Sequence, residues 1–199
     1  RQVLILYGDV PFIDIITIKK LVRIKKEEIK LLCFNKEEKN FYGKVILGTD
    51  GNVSEVIEQR ELKKKDHFFL CNAGIFCLFS KDLKKYFPLI SNKNKKKEFY
   101  ATDIFKIATN NNINVKPEIV SESEVMGVNN KEDLATAEKA LQFKLRQKFL
   151  KKGVTMIDPE TVYLSSDTKI GKDVVLQPFL FIGPKAVSYT HLRAHETPL

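Results

Sequence analysis

From Leu164 onward the aliphatic residues recur in sixes: Leu164, Ile170, Leu176 and Ile182, with Gly171 and Gly183 following two of them. Val174, Leu180 and Ala186 form a second register offset by four. A half-buried strand repeats every two residues and a helix every 3.6. A period of six fits neither, and is the mark of hexapeptide-repeat β-helices, where each turn stacks its aliphatic residue on the last. Such a solenoid needs several coils to bury a core, and residues 154–187 supply little more than one. The solenoid is therefore expected to be only a start. Ahead of it, Lys131 to Lys152 is strongly helical, with Leu134, Ala137, Leu141, Leu145 and Leu150 along one side and Gly153 as its stop. About 20 helical residues make an arm of roughly 30 Å. Asn129 with Glu132, or Asn130 with Asp133, fits its amino-terminal cap.

The first 130 residues alternate strand and helix signals, which predicts an α/β sheet layered by helices. Leu4-Ile5-Leu6-Tyr7 is a short apolar run that reads as a buried strand, ended by Gly8 and held extended by Pro11. Ile13, Ile16, Leu21 and Ile24 give a rough helical stripe. Lys30–Phe34 and Tyr42–Leu47 read as strands. Thr49-Asp50-Gly51-Asn52 favours a hairpin, with Val53, Val56 and Ile57 on its far side. Phe68–Phe79 reads as two short buried strands around Asn72-Ala73-Gly74. Ser80 stands where a helix cap belongs, and Leu83, Tyr86 and Phe87 share a face behind it. Thr102–Ala108 is a further short helix, and Ile113–Val120 an edge-tolerant strand because it contains Pro117.

Several polar positions interrupt these apolar segments, and each has two readings. Asp9 stands at the carboxyl end of a strand, where open α/β sheets bind ligands, and a hard oxygen there suits Mg2+; an ordinary side-chain turn fits it equally. Gly43 would let a base or sugar lie against bare backbone, or simply turn the chain. Glu58 could accept from sugar hydroxyls, or be solvated. Asn72 needs partners, from turn backbone or from a ligand. Asn129, at the helix start, could cap it or ligate a metal while the terminus favours phosphate.

A net charge of +9 invites a nucleic-acid reading. The lysines, however, cluster at 63–65, 93 and 95–97 between apolar segments, with no helix-turn-helix, RNA-recognition or zinc-finger signature. A solvated surface that gathers phosphorylated substrates accounts for them, and no nucleic-acid partner is expected. Phe68–Phe79 is too short for a bilayer, which takes roughly 20 residues, so no membrane partner is expected either. Cys33, Cys71 and Cys77 are odd in number and lack metal-ligand spacing, as reduced thiols of a cytoplasmic protein would. Residues 188–199 lose the hexapeptide register and hold His191 and His195; they resemble a translated sequencing adapter more than native protein.

The order Tyr7-Gly8-Asp9-Val10-Pro11, Tyr42-Gly43, Val56-Ile57-Glu58, Asn72-Ala73-Gly74-Ile75, Tyr100-Ala101-Thr102-Asp103-Ile104, Gly127-Val128-Asn129-Asn130, long helix and hexapeptide repeats closely resembles one family. It is that of the bifunctional bacterial N-acetylglucosamine-1-phosphate uridylyltransferases/glucosamine-1-phosphate acetyltransferases, matched over about residues 2–187. The resemblance implies a Rossmann-like nucleotidyltransferase domain over 1–130, a helical arm over 131–153, and the start of a left-handed, trimerising β-helix over 154–187. It also implies that Asp9 and Asn129 hold Mg2+ and that Tyr7 and Gly8 lie in the nucleotide-sugar segment. Gly43, Glu58, Asn72 and Asn129 would contact UDP-N-acetylglucosamine, with Thr102 near the acceptor. Lys44 stands where the family usually has arginine, and Ala73 where relatives have threonine; neither removes a ligand group.

The implied reaction is attack of the N-acetylglucosamine-1-phosphate oxygen on the α-phosphorus of UTP, with loss of pyrophosphate. Its nucleophile is already anionic, so alignment and charge neutralisation dominate. The family's glycine-rich phosphate loop is expected before Arg1, and its acetyl-CoA site in later coils. The polypeptide as written is therefore expected to be inactive. A single-function nucleotidylyltransferase and a non-catalytic sugar-nucleotide-binding hexapeptide scaffold are the alternatives.

Overall fold

The computed structural model describes residues 1–37, 40–62 and 69–188, which divide into two compact units, one up to residue 128 and one from residue 129. Lys63-Lys64-Lys65, Phe68 and the tail with His191 and His195 lie outside the described residues.

The first unit runs β1 (Gln2–Ile5), α1 (Ile15–Leu21), β2 (Glu28–Asn35), β3 (Lys44–Leu47), β4 (Val53–Ile57), β5 (Leu70–Phe79), α2 (Ser80–Tyr86), α3 (Asp103–Asn110) and β6 (Asn114–Val120). Its sheet has the order β4-β3-β5-β2-β6, with β1 pairing antiparallel to the far end of β5. β2 and β6 run parallel; β3 lies antiparallel to both β4 and β5. Both faces are covered, so alternate residues of β2 feed two cores. Ile29, Leu31 and Cys33 pack with Ile104, Phe105 and Ala108 of α3 and with Tyr86. Leu32 and Phe34 pack with Leu21, Ile24, Cys71 and Ile75.

Four sequence expectations change here. β1 stops at Ile5, whose partner is Phe76, and Leu6 and Tyr7 are 47% and 46% exposed where β5 runs on into its irregularity at Gly74. In α1, Ile16 is exposed and Thr17 buried: Asp14 caps the helix by accepting from the Ile16 N–H at 2.7 Å, which sets the rotation. Thr17 then donates to Glu124 Oε2 at 2.7 Å. Leu70–Phe79 is one ten-residue strand, not two, because Gly74 takes φ +74 and absorbs the irregularity as a bulge where the β2 pairing jumps from Phe76 to Asn72. Ser80 is the first residue of α2, behind Phe79, and caps nothing. The Asp50-Gly51 hairpin forms as read, with Gly51 at φ +76 and Leu47 opposite Val53. β6, with Pro117, sits at the sheet edge.

The second unit opens with α4 (Lys131–Leu150). Of the two caps the sequence allows, Asn130 is used: its Oδ1 accepts from the Asp133 N–H at 2.8 Å, and Asp133 returns the bond to the Asn129 N–H at 2.9 Å. Gly153, φ +90, ends the helix. Leu134, read as part of the apolar side, is exposed, whereas Phe149 is buried with Leu145. Two polar residues share that buried face. Gln142 grips the backbone of Leu164 twice, donating to its carbonyl and accepting from its N–H, both at 2.9 Å. Arg146 donates to the carbonyls of Glu160 and Val162. Each thereby satisfies backbone that would otherwise be buried unpaired.

Beyond α4 come six two-residue strands, β7 (Thr155–Met156), β8 (Tyr163–Leu164), β9 (Lys169–Ile170), β10 (Val175–Leu176), β11 (Phe181–Ile182) and β12 (Val187–Ser188). They pair in parallel as β7–β10, β8–β11 and β9–β12. Leu164, Leu176, Ile182 and Val174 are buried in one core with Met156 and Val162, and Ile170, Leu180 and Ala186 pack partly against it. Among the described residues no helix is long and apolar enough to cross a membrane.

Candidate functional site

In the first unit, contacts link six polar and glycine positions that the chain keeps far apart. The starting point is the bulge of β5. Asn72 turns its Oδ1 back to accept from the Gly74 N–H at 2.9 Å, which holds Gly74 in its left-handed conformation. The ring of Tyr7 lies directly over that glycine: a Cβ there would sit 2.1 Å from Tyr7 Cε2. On the other side, the Asn72 N–H donates to the Gly43 carbonyl at 2.8 Å as β3 joins β5. A Cβ on Gly43 would stand 3.4 Å from Val56 Cγ1 and 3.6 Å from Glu58 Oε2. Glu58 in turn accepts from Thr102 Oγ1 at 2.6 Å through Oε1.

Tyr7, Gly43, Glu58, Asn72 and Thr102 are thus brought together at one rim of the sheet. Gly8 follows Tyr7 with open space around its α-carbon. Asp9 is exposed, its backbone carbonyl accepting from Val128 N–H at 2.9 Å. Asn129 begins the second unit, with its backbone N–H spent on the helix cap.

The charge at this rim is negative. Burial raises the Tyr7 phenol above its usual value, with Glu58 and then Asp9 adding to the effect. Burial likewise raises the Asp103 carboxyl, Glu58 reinforces this, and Lys106 opposes it. Beside Glu58 a cavity of about 230 Å³ is lined by Glu61, Tyr100, Asp103 and Lys106 among others, and the Tyr100 hydroxyl and one Glu61 oxygen there are buried without a hydrogen-bond partner among the described residues. Sequence reasoning missed the role of Gly74, whose signal was the Asn-x-Gly spacing, and that of Tyr100, visible only from its place beside Thr102.

Among the described residues no three His, Cys, Asp or Glu side chains cluster to hold a metal. Mg2+ makes no such demand, since it is commonly held by one or two protein oxygens, with water and phosphate completing the shell. Asp9 and Asn129 each carry an oxygen of the kind Mg2+ takes: both are exposed and neither side chain has a hydrogen-bond partner among the described residues.

Comparison with known proteins defines the class first: over about nine-tenths of its length this chain is homologous to curated bifunctional bacterial proteins. Those relatives bear the name Bifunctional protein GlmU. The one from Wolbachia sp. subsp. Brugia malayi is 35% identical over 182 residues, 92% of this chain and 45% of the relative. The one from Hyphomonas neptunium is 36% identical over 183 residues, 90% of this chain and 40% of the relative. The protein from Caldicellulosiruptor saccharolyticus is 36% identical over 187 residues. The chain therefore spans less than half the length of the curated relatives it matches. No family model matches it. Among solved structures, a nucleoside-diphosphate-sugar pyrophosphorylase from Vibrio cholerae RC9 superposes with a TM-score of 0.45 at 12% identity, over 54% of this chain and 45% of that one.

Proposed function

We propose that residues 1–130 are part of a sugar nucleotidyltransferase domain that forms UDP-N-acetylglucosamine from UTP and N-acetylglucosamine-1-phosphate. In the same reading residues 131–153 are its arm and 154–187 begin a left-handed β-helix; the tail read as non-native from residue 188 starts one residue too early, because Ser188 pairs with Ile170 in β12. The observation that carries the reading is the chain of contacts from Tyr7 through Gly74, Asn72, Gly43 and Glu58 to Thr102. It collects at one rim the positions that the family resemblance assigns to the sugar nucleotide. The parallel pairing of two-residue strands supports the β-helix, because Tyr163 meets Phe181 and Lys169 meets Val187, eighteen residues on in each case. Three sixes close one coil.

Within this reading Gly43 keeps a stretch of rim free of side chain, so a flat ring can approach the backbone there, while the space over Gly74 is filled by the Tyr7 ring. Glu58 accepts hydroxyl hydrogens of the amino sugar, and Thr102, already bonded to Glu58, fixes that carboxylate's orientation. Asn72 has its oxygen committed to Gly74, and its amide N–H2 is the group left to donate to the sugar nucleotide. Asp9 and Asn129 are the proposed Mg2+ ligands, and the ion when bound supplies charge neutralisation for the phosphates. Acetyl-CoA and trimer formation belong, in this reading, to the longer relatives' further coils, and the setting is the cytoplasm.

Calorimetric titration of the chain with UDP-N-acetylglucosamine, with and without Mg2+, tests the proposal. Binding is expected to need the ion, and Glu58→Ala to weaken it about tenfold or more, since a hydrogen bond to a charged group contributes about 1.5–3 kcal/mol. Asp9→Ala is expected to abolish the Mg2+ dependence. Equal affinity in the parent chain and both variants would overturn the assignment.

A further inference from the structure

Directly behind the rim lies a buried pair that the proposed reaction does not use. Lys44, 6% exposed, extends its Nζ to Asn40 Oδ1 at 2.7 Å and to Cys71 Sγ at 3.0 Å. Cys71 is fully buried, and Lys44 and Cys71 are register partners across β3 and β5. A nitrogen and a sulfur at this separation are within the roughly 3–3.5 Å of a near-attack arrangement.

We propose that Lys44 and Cys71 are a peroxide-responsive modification site that closes into a covalent nitrogen–sulfur bridge. In the first step the Cys71 sulfur attacks hydrogen peroxide. The S–O bond forms, the O–O bond breaks, sulfur gives up two electrons, and one water leaves with the thiol proton. In the second step the amine form of Lys44 attacks the sulfenic sulfur. The N–S bond forms, the S–O bond breaks, and the departing hydroxide takes a proton from nitrogen to leave as water. Sulfenic acids undergo this condensation with nitrogen as they do with thiols.

Position selects the amine as the trap. Cys33 belongs to the core on one face of the sheet and Cys71 to the core on the other. Cys77 lies six residues farther along β5. Burial withholds external thiols, whereas peroxide, small and uncharged, needs only local opening near the start of β5, where Phe69 is 56% exposed and Phe41 94%. Lys44 follows Gly43 and Cys71 precedes Asn72, so the bridge would pin the two strands whose backbones meet at the rim. Any effect on sugar-nucleotide binding rests on the function proposed above; the bridge itself does not.

The experiment treats the whole chain with hydrogen peroxide and maps peptides by mass spectrometry before and after dithiothreitol. The expected product is one cross-linked pair of peptides containing Lys44 and Cys71, two hydrogens lighter than their sum and separated again by the reductant. Lys44→Arg is expected to give instead a Cys71 sulfenic acid that dimedone captures. Cys71 carried on to sulfinic acid with Lys44 still open to acetylation would overturn the proposal. So would a disulfide from Cys71, or an unoxidised Cys71 where Cys33 or Cys77 has reacted. Absence of the cross-linked pair would overturn the bridge whatever happens to nucleotide binding, whereas a bridge with nucleotide binding unchanged would leave it standing.

Discussion

Gly74 joins backbone strain, packing and titration at a single residue. Its φ of +74 disfavours any side chain, and the Tyr7 ring occupies the space where one would go. Gly74→Ala should therefore cost about 1–3 kcal/mol from the backbone alone and push the ring aside, measured by urea unfolding. Tyr7 itself gives a pH prediction. Its phenol loses its proton later in the folded chain than in the unfolded one, where the value is about 10. The unfolded state then sheds a proton that the folded state keeps, so stability falls as pH rises past the ordinary tyrosine range, and is intact below it. Tyr7→Phe should flatten that alkaline decline in unfolding experiments run across the range. The two neighbouring asparagines divide similarly. Asn130→Ala removes the cap of α4 and should cost about 1 kcal/mol, whereas Asn129→Ala should change stability by less than about 0.5 kcal/mol, both read from thermal unfolding.

At the scale of elements, what the sequence made legible was whatever local chemistry decides. The Asp50-Gly51 hairpin follows from its turn residues and stands as read, and the strand read at Lys30–Phe34 lies within β2. The end of β1, the rotation of α1 and the unity of β5 were not legible, because each involves a partner distant in sequence: the irregularity of β5 for β1, Glu124 for Thr17, and Tyr7 over the bulge for Gly74. The same limit hid the polar side of α4. A glutamine among leucines reads as solvated, yet Gln142 is buried on the backbone of a residue 22 positions away. Gln142→Leu should cost about 1–3 kcal/mol, since it strands an N–H and a carbonyl, and chemical unfolding of the chain would measure it. The candidate site was legible as a set of positions but not as a geometry. Asn72, Gly43 and Glu58 were each ambiguous alone, and only the joining of β3 to β5 sets them in contact.

At the scale of the molecule, each unit has a core of its own: two layers about a mixed sheet in the first, and the aliphatic stack with one side of α4 in the second. Leu176, fully buried in that stack, makes the difference testable. Leu176→Ala should cost the second unit about 2–5 kcal/mol and leave the alkaline behaviour of Tyr7 unchanged. The parallel pairs of two-residue strands carry a further consequence. β8 meets β11 and β9 meets β12 after eighteen residues, whereas β7 meets β10 after twenty. The two surplus residues fall between β7 and β8, where Pro159–Thr161 forms a short turn that Arg146 braces. Insertions and deletions in this segment are thus quantised. A corner can swell or shrink by a residue or two, but a loss of six elsewhere would hand every later strand to the wrong neighbour, so viable length variants should differ by whole eighteen-residue repeats of the pairing.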